Sequence, residues 1–162
     1  YPDLSVLQLD AHADLQPEYY GSKYNHGCVM ARLREFCPIT QVGIRSLSAA
    51  EKPFLEPGRV FFAQDIHNRN DWQAKAAVQL TERVYITIDL DAFDPSLLPS
   101  TGTPEPGGLG WYQVLEFLKK VSREKEIVGF DVVELCPNKF AKASDFTAAK
   151  LIYKLLSYKF EK

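Results

Sequence analysis

The chain has 162 residues, of which 46% are hydrophobic and 25% charged, and this composition predicts one globular domain with a substantial apolar core. A net charge of −2 provides no basic surface of the kind that binds nucleic acid or anionic membranes, so we expect neither partner. Three cysteines, an odd number without the close spacing of zinc sites, predict reduced thiols in a cytoplasmic protein.

Five short, mostly apolar runs bounded by turn residues predict strands that are buried on both faces. The runs cover residues 4–9, 39–44, 60–63, 84–88 and 127–133. Residues 95–110, rich in Pro and Gly, form one long irregular segment, and segments of this kind are often functional.

Apolar residues at helical spacing predict helices between the strands, so the chain belongs to the α/β class with a mainly parallel sheet. A short helix is expected over residues 29–36 and another over residues 70–83. A C-terminal helix is expected to begin at Ser144 or Asp145. Another helix is expected after Gly110, with the inward residues Trp111, Val114, Leu115, Leu118 and Val121. The inward residues of the C-terminal helix are Ala148, Leu151, Ile152, Leu155 and Tyr158.

Acidic side chains follow three of the predicted strands. Ligands bind at the carboxyl ends of parallel strands, and residues two apart in an extended segment project to the same side. We therefore predict that the acidic and imidazole side chains after the first and fourth strands converge. They are Asp10, His12 and Asp14 after the first strand and Asp89 and Asp91 after the fourth, while the fifth strand carries Asp131 and ends in Glu134.

Buried carboxylates in one cleft repel one another and lose hydration unless cations neutralise them. Two divalent ions would supply that charge, and many carboxylate oxygens with little imidazole favour Mn²⁺ or Mg²⁺ over zinc. The alternative for a single Asp is a helix cap or a turn residue, which is what we expect of Asp94. His67 is predicted to be a polar loop residue and Cys136 a small buried one.

Three stretches resemble, in order, the signature segments of the ureohydrolases, the family of arginases and agmatinases. They are Asp10-Ala-His12-Ala-Asp14, Asn25-His26-Gly27 and Thr87-Ile-Asp-Leu-Asp-Ala-Phe-Asp-Pro95, and residues 100–108 and 129–137 are also similar to family segments. The resemblance implies a three-layer αβα fold of the arginase and deacetylase kind. It also implies that a guanidino compound is hydrolysed to urea and an amine at two Mn²⁺ ions.

The resemblance further implies a metal-ligand set. Asp10 and Asp89 would bridge the two ions, Asp14 would bind one ion, and His12 with Asp91 would bind the other. A hydroxide between the ions would attack the guanidinium carbon.

Three more positions take roles from the resemblance. His26 matches a proton shuttle, and Glu134 matches the acid that pairs with the guanidinium. Thr103 lies in the segment that faces the substrate. A helix-start role for His26 and a solvated strand end for Glu134 are the alternatives.

The segment Tyr20-Gly-Ser-Lys-Tyr-Asn-His26 is similar to agmatinases. It lacks the Asn- and Thr/Ser-rich stretch with which arginases hold the amino-acid end of arginine. We therefore expect agmatine, cleaved to putrescine and urea in polyamine biosynthesis, rather than arginine. Guanidinobutyrate or another guanidino acid is the alternative, with formiminoglutamate after it. The family usually forms rings of several chains, so we also expect a homo-oligomer.

The sequence departs from the family pattern upstream of Asp10. Family members carry a Gly-Gly-(Asp/Glu)-His stretch there, whose histidine binds the ion that Asp14 also binds. We expect residues 1–162 to be the C-terminal portion of a single ureohydrolase domain, incomplete at the N-terminus. Two alternatives are an impaired remnant that acts as a metal-binding or structural module and a single-zinc amide hydrolase, which Glu134 disfavours.

Overall fold

Five parallel strands form one sheet at the centre of the protein. In a computed structural model, which describes residues 1–69 and 71–161, each neighbouring pair of strands is parallel, in the order β3-β2-β1-β4-β5. The sheet therefore confirms the predicted α/β class. The strands are β1 (Leu4–Leu9), β2 (Ile39–Ile44), β3 (Val60–Phe62), β4 (Arg83–Asp89) and β5 (Glu126–Val133).

Within the described residues, five helices accompany the sheet, together with short 3-10 turns over His26–Cys28, Lys52–Phe54 and Leu90–Ala92. Among the described residues, no helix combines the length and the apolarity that crossing a membrane requires. The helices are α1 (Val29–Leu33), α2 (Ala63–Ile66), α3 (Trp72–Val78), α4 (Trp111–Glu124) and α5 (Ala143–Phe160).

The two faces of the sheet are covered by different helices, which gives the three-layer arrangement. Side chains alternate along β1, so Leu7 and Leu9 pack in the larger apolar cluster with α3, α4 and α5. Val6 points to the other face and packs in a smaller cluster that contains Met30 of α1. The sheet is therefore sandwiched between α3–α5 and α1.

Three predicted helices have wrong boundaries. The helix expected over residues 29–36 ends at Leu33. Of the helix predicted over 70–83, Asn70 lies outside the described residues, the helix spans only Trp72–Val78, and Arg83 already begins β4. The chain leaves the helix because Thr81 is tied to the sheet, with its N–H and hydroxyl each 3.0 Å from Ser5 Oγ. Helix α5 begins at Ala143, so neither Ser144 nor Asp145 is its cap.

Two predictions of burial also fail. Ile152 is exposed on α5, because one helix face contacts the sheet and Leu151 and Leu155 already fill it. Cys136 is exposed rather than buried, since its N–H is turned inward to Ser100 O at 2.9 Å. All three cysteines are free thiols.

Candidate metal centre

The carboxyl ends of β1, β4 and β5 open into one cavity of about 730 Å³. Since the strands are parallel, the segments that follow them meet at the same edge of the sheet. The cavity is lined by every predicted site residue: Asp10, His12, Asp14, His26, Asp89, Asp91, Thr103 and Glu134.

The tightest group in the cavity consists of Asp10, His12 and Asp91, whose ligand atoms all lie within 4.8 Å of one another. His12 Nδ1 is 2.9 Å from Asp91 Oδ2 and 3.6 Å from Asp10 Oδ1. The N–H of Ala11 donates to Asp91 Oδ1 at 3.0 Å, which ties the end of β1 to the turn after β4. Three potential metal ligands are thus held together by backbone as well as side-chain contacts.

Asp89 and Asp91 do not reach the cavity through the alternation of side chains along an extended segment. Asp91 lies in the 3-10 turn Leu90–Ala92, and Asp89 Oδ1 accepts from the Asp91 N–H at 2.9 Å as the cap of that turn. The extended spacing predicted for Asp89 and Asp91 is therefore wrong, although both line the cavity. A capping role leaves the second carboxylate oxygen of Asp89 available for other contacts.

Asp14 and Glu134 both lie in the left-handed backbone region, with φ values of 52° and 63°. For a residue with a side chain this conformation costs about 1–3 kcal/mol, and such strain is concentrated at functional sites. The Asp14 carbonyl accepts from the Ala31 N–H at 3.1 Å, a contact that helps to hold the strained turn. The strain at these two positions supports a functional role for both side chains.

Burial makes ionisation of the acidic cluster unfavourable. Loss of hydration raises the pKa of Asp10 to about 6, and together with the charge of Asp10 it raises the pKa of Asp14 to about 8 and that of Asp89 to about 9. Contacts with Asp10 and then Asp91 raise the pKa of His12 to about 10. Burial opposes ionisation of Asp91 too, but the His12 and Ala11 hydrogen bonds lower its pKa.

The donor set fits hard divalent cations. Four buried or half-buried aspartates, Asp10, Asp14, Asp89 and Asp91, line the cavity with His12. Asp131 and the exposed His26 line it too, so negative charge is in excess among the described lining residues. Carboxylate oxygens with one imidazole nitrogen are the ligands that Mn²⁺ and Mg²⁺ accept, whereas a structural zinc site would use thiolates. Asp10, His12, Asp14, Asp89 and Asp91 could hold such ions.

The remaining predicted residues lie around the mouth of the cavity. His26 is exposed at the start of a 3-10 turn that the Asn25 side chain caps, and its ring is 5.6 Å from that of Tyr19. Thr103 Oγ1 donates to Asp91 Oδ2 at 3.3 Å. Glu134 follows β5 and is exposed. All three side chains line the cavity and are exposed.

Asp94 and His67 have the turn and loop positions that the sequence predicts for them. Asp94 accepts four hydrogen bonds, from the N–H and hydroxyl of Ser96 and from the N–H groups of Gly107 and Gly108, and these bonds lower its pKa to about 2. It is the predicted turn residue. His67 lies exposed at the end of α2, as a polar loop residue.

The sequence does not identify Arg45 as part of the site. Its guanidinium donates to the carbonyls of Asp91 and Glu105, both at 2.7 Å, and to that of Gly43 at 3.1 Å. It thereby joins the turn that carries Asp91 to the segment that carries Thr103. Backbone carbonyls have no sequence signature, so no pattern in the chain reveals this role.

Buried polar residues in the strands are a signal that the sequence does offer. Gln8 and Gln41 stand in otherwise apolar runs, and both are 1% exposed. Glu51 is buried beside the cavity and accepts from the N–H groups of Leu15 at 3.0 Å and Ser48 at 2.6 Å. Polar side chains at such positions need partners, and here those partners belong to the site.

The comparisons with known proteins agree on one family. A profile of the arginase family matches residues 1–157. The chain is 47% identical to an N(1)-aminopropylagmatine ureohydrolase of Thermus thermophilus, covering 97% of this chain and 54% of that protein. It is 38% identical to an agmatinase of Pyrococcus horikoshii, covering 94% of this chain and 56% of that one.

A solved structure is similar over the same region. The agmatine ureohydrolase of Thermoplasma volcanium superimposes with a TM-score of 0.84 at 33% identity, and the match covers 98% of this chain and 56% of that one. The chain therefore spans about half the length of the relatives it matches.

Proposed function

The chain belongs to the arginase family, and we propose that it hydrolyses the guanidinium group of an aliphatic guanidinoamine to urea and an amine. The observation that carries this proposal is the group of Asp10, His12 and Asp91, whose ligand atoms lie within 4.8 Å of one another. Asp14 and Asp89 line the same cavity. The arrangement supports a site for two Mn²⁺ ions.

When bound, the ions would lower the pKa of a water molecule, so that a strong nucleophile is available near neutral pH. The protein's own contribution is to position the substrate. Glu134, at the end of β5, would pair with the guanidinium and direct its carbon toward the aspartates. His26, exposed at the mouth, would move a proton to the departing amine. Thr103 would border the same space.

Agmatine is the substrate that we propose first. Relatives at 38% and 39% identity are named agmatinase and N(1)-aminopropylagmatine ureohydrolase, respectively. The second substrate carries the same guanidinobutyl group with a longer amine, so one site could accept either. Tyr19 lines the cavity and its ring is 4.3 Å from that of Tyr20, which is 87% exposed. An aromatic pair at the mouth suits a cationic tail and makes aminopropylagmatine the second candidate.

Urea release from agmatine, aminopropylagmatine, arginine and guanidinobutyrate, each with added Mn²⁺, tests the proposal. We expect the two amines to be cleaved in preference to arginine, and we expect D10N to abolish the release. Arginine as the best substrate would overturn the substrate assignment. If Mn²⁺ binds but no urea appears, the metal-binding module described above is the better account. Cytoplasmic location and homo-oligomerisation stay predictions.

A further inference from the structure

Two buried glutamines connect the interior of the sheet to the acidic cluster. Gln8 of β1 and Gln41 of β2 are register partners in the parallel ladder, so their side chains project to the same face. Gln41 Nε2 donates to Gln8 Oε1 at 2.6 Å, and Gln8 Nε2 donates to Asp10 Oδ2 at 2.7 Å. Gln41 makes no hydrogen bond to Asp10, so any influence on that carboxylate passes through Gln8.

The direction of this chain of hydrogen bonds is fixed at its far end. Gln41 Nε2 also donates to the carbonyl of Ala13 at 2.7 Å, and a carbonyl can only accept. Gln41 must therefore present its NH₂ group, and Gln8 must answer with its oxygen. The NH₂ group of Gln8 is then left facing Asp10 and the His12 carbonyl, which is 3.4 Å away. Turning either amide over would place two acceptors or two donors against each other.

This relay, the chain of hydrogen bonds from Gln41 through Gln8 to Asp10, leaves Asp10 able to bind cations. Asp10 Oδ1 accepts from the His12 N–H at 2.6 Å, and Oδ2 accepts from Gln8. A carboxylate has about four lone-pair sites, so each oxygen keeps one for a cation. Because Asp10, Gln8 and Gln41 are at most 3% exposed, water cannot replace a missing donor easily.

We propose that Gln41 and Gln8 are positioning residues that act in series to set the orientation of Asp10 for metal binding. The link to metal binding rests on the proposed function. The relay itself is a property of the folded chain, and it predicts that Gln41 controls Asp10 although it does not touch it.

The first test uses the metal-free protein. Hydrogen exchange of the Gln8 side-chain NH₂, measured by NMR, is expected to be slow in the wild type and about tenfold faster or more in Gln41→Met, since the acceptor side of Gln8 is then unpaired. Ser5→Ala is the matched control, because Ser5 is also buried in β1 and loses a hydrogen bond to Thr81, away from the site. Equal exchange of the Gln8 amide in wild type and Gln41→Met would overturn the relay, whatever the metal does.

The second test measures the dissociation constant for Mn²⁺ by titration. Gln8→Met and Gln41→Met are each expected to raise it by about 10-fold or more, the usual effect of losing a group that orients a ligand. The double variant should bind no more weakly than Gln8→Met alone, whereas Ser5→Ala should bind like the wild type. If the two single effects on the dissociation constant multiply in the double variant, the two glutamines act independently, and action in series is wrong. A wild-type chain that binds no Mn²⁺ would count against the proposed function, while the amide exchange would still decide the relay.

Discussion

Replacing Asp89 by Asn tests whether the acidic cluster weakens the fold that carries it. Burial and the charges of Asp10 and Asp91 raise the pKa of Asp89 to about 9, against an ordinary value of 3.8. Between pH 6 and 8 the unfolded chain has therefore lost this proton, whereas the folded chain keeps it. Asn has the same shape and can still accept from the Asp91 N–H, so the substitution isolates the ionisation.

The sign and size of the effect follow from proton linkage. A carboxyl whose pKa is raised on folding contributes stability fully at pH values below about 4, and this contribution is lost as the pH rises toward 9. A difference of one bound proton changes the free energy of unfolding by about 1.4 kcal/mol per pH unit. From pH 6 to 8, the metal-free wild type should thus lose roughly 3 kcal/mol relative to D89N.

Urea denaturation at pH 6, 7 and 8 in the presence of a chelator measures this difference. D94N is the control, because the hydrogen bonds of Asp94 lower its pKa to about 2. That contribution is present at all pH values above about 4, so D94N should differ from the wild type by a constant amount between pH 6 and 8. Parallel stability curves for wild type and D89N would refute the reasoning. Added Mn²⁺ should favour the wild type, since an ionised carboxylate binds the cation more strongly than a neutral amide does.

Three other substitutions probe the supports of the site. Arg45→Met should lower the free energy of unfolding by about 2–4 kcal/mol, because its contacts with backbone carbonyls are lost. Lys120→Met, which loses only a surface ion pair with Glu124, should change it by less than about 0.5 kcal/mol. Equal effects would contradict the stabilising role of Arg45. Gly43→Ala should lower the free energy of unfolding by about 1–3 kcal/mol, and by more than Gly21→Ala. Both glycines have positive φ, but only the Cβ at Gly43 would meet a carbonyl oxygen at 3.1 Å. Equal melting temperatures of the two variants would exclude that contact. Glu134→Gln should raise KM for the guanidino substrate about tenfold with unchanged Mn²⁺ content, and loss of Mn²⁺ would contradict its assignment to the substrate.

The strands are the part of the fold that the sequence predicts best. Residues 4–9 and 39–44 coincide with β1 and β2, because strands buried on both faces show as short, mostly apolar runs. The helix predicted over 70–83 fails at its C-terminal end, where Thr81 bonds to Ser5, a residue 76 positions away in the chain. Local periodicity carries no information about a contact between residues so far apart in the chain.

The site, too, has one part that the sequence predicts and another that it does not. Asp10, His12 and Asp14 line one cavity, as their spacing predicts, but they do not meet through a fully extended segment. The chain bends at Ala11, His12 is bridged to Ser46, and Asp14 has a positive φ. Pairing between Gln8 and Gln41 depends on the register of two strands, which the chain does not encode locally.

The position of each site residue in the sheet matches the demands on it. Asp10 follows β1 and Asp89 is the last residue of β4, and each of these strands is hydrogen-bonded on both sides. The unfavourable burial of charge is thus carried by the part of the sheet that is best supported. Among the described strands, β5 pairs only with β4, and Glu134 at its end is exposed. A metal centre needs ligands fixed within a fraction of an ångström, whereas a carboxylate that receives a substrate can adjust as the substrate binds. The central strands therefore suit the metal ligands, and an exposed position suits the residue proposed to bind the guanidinium.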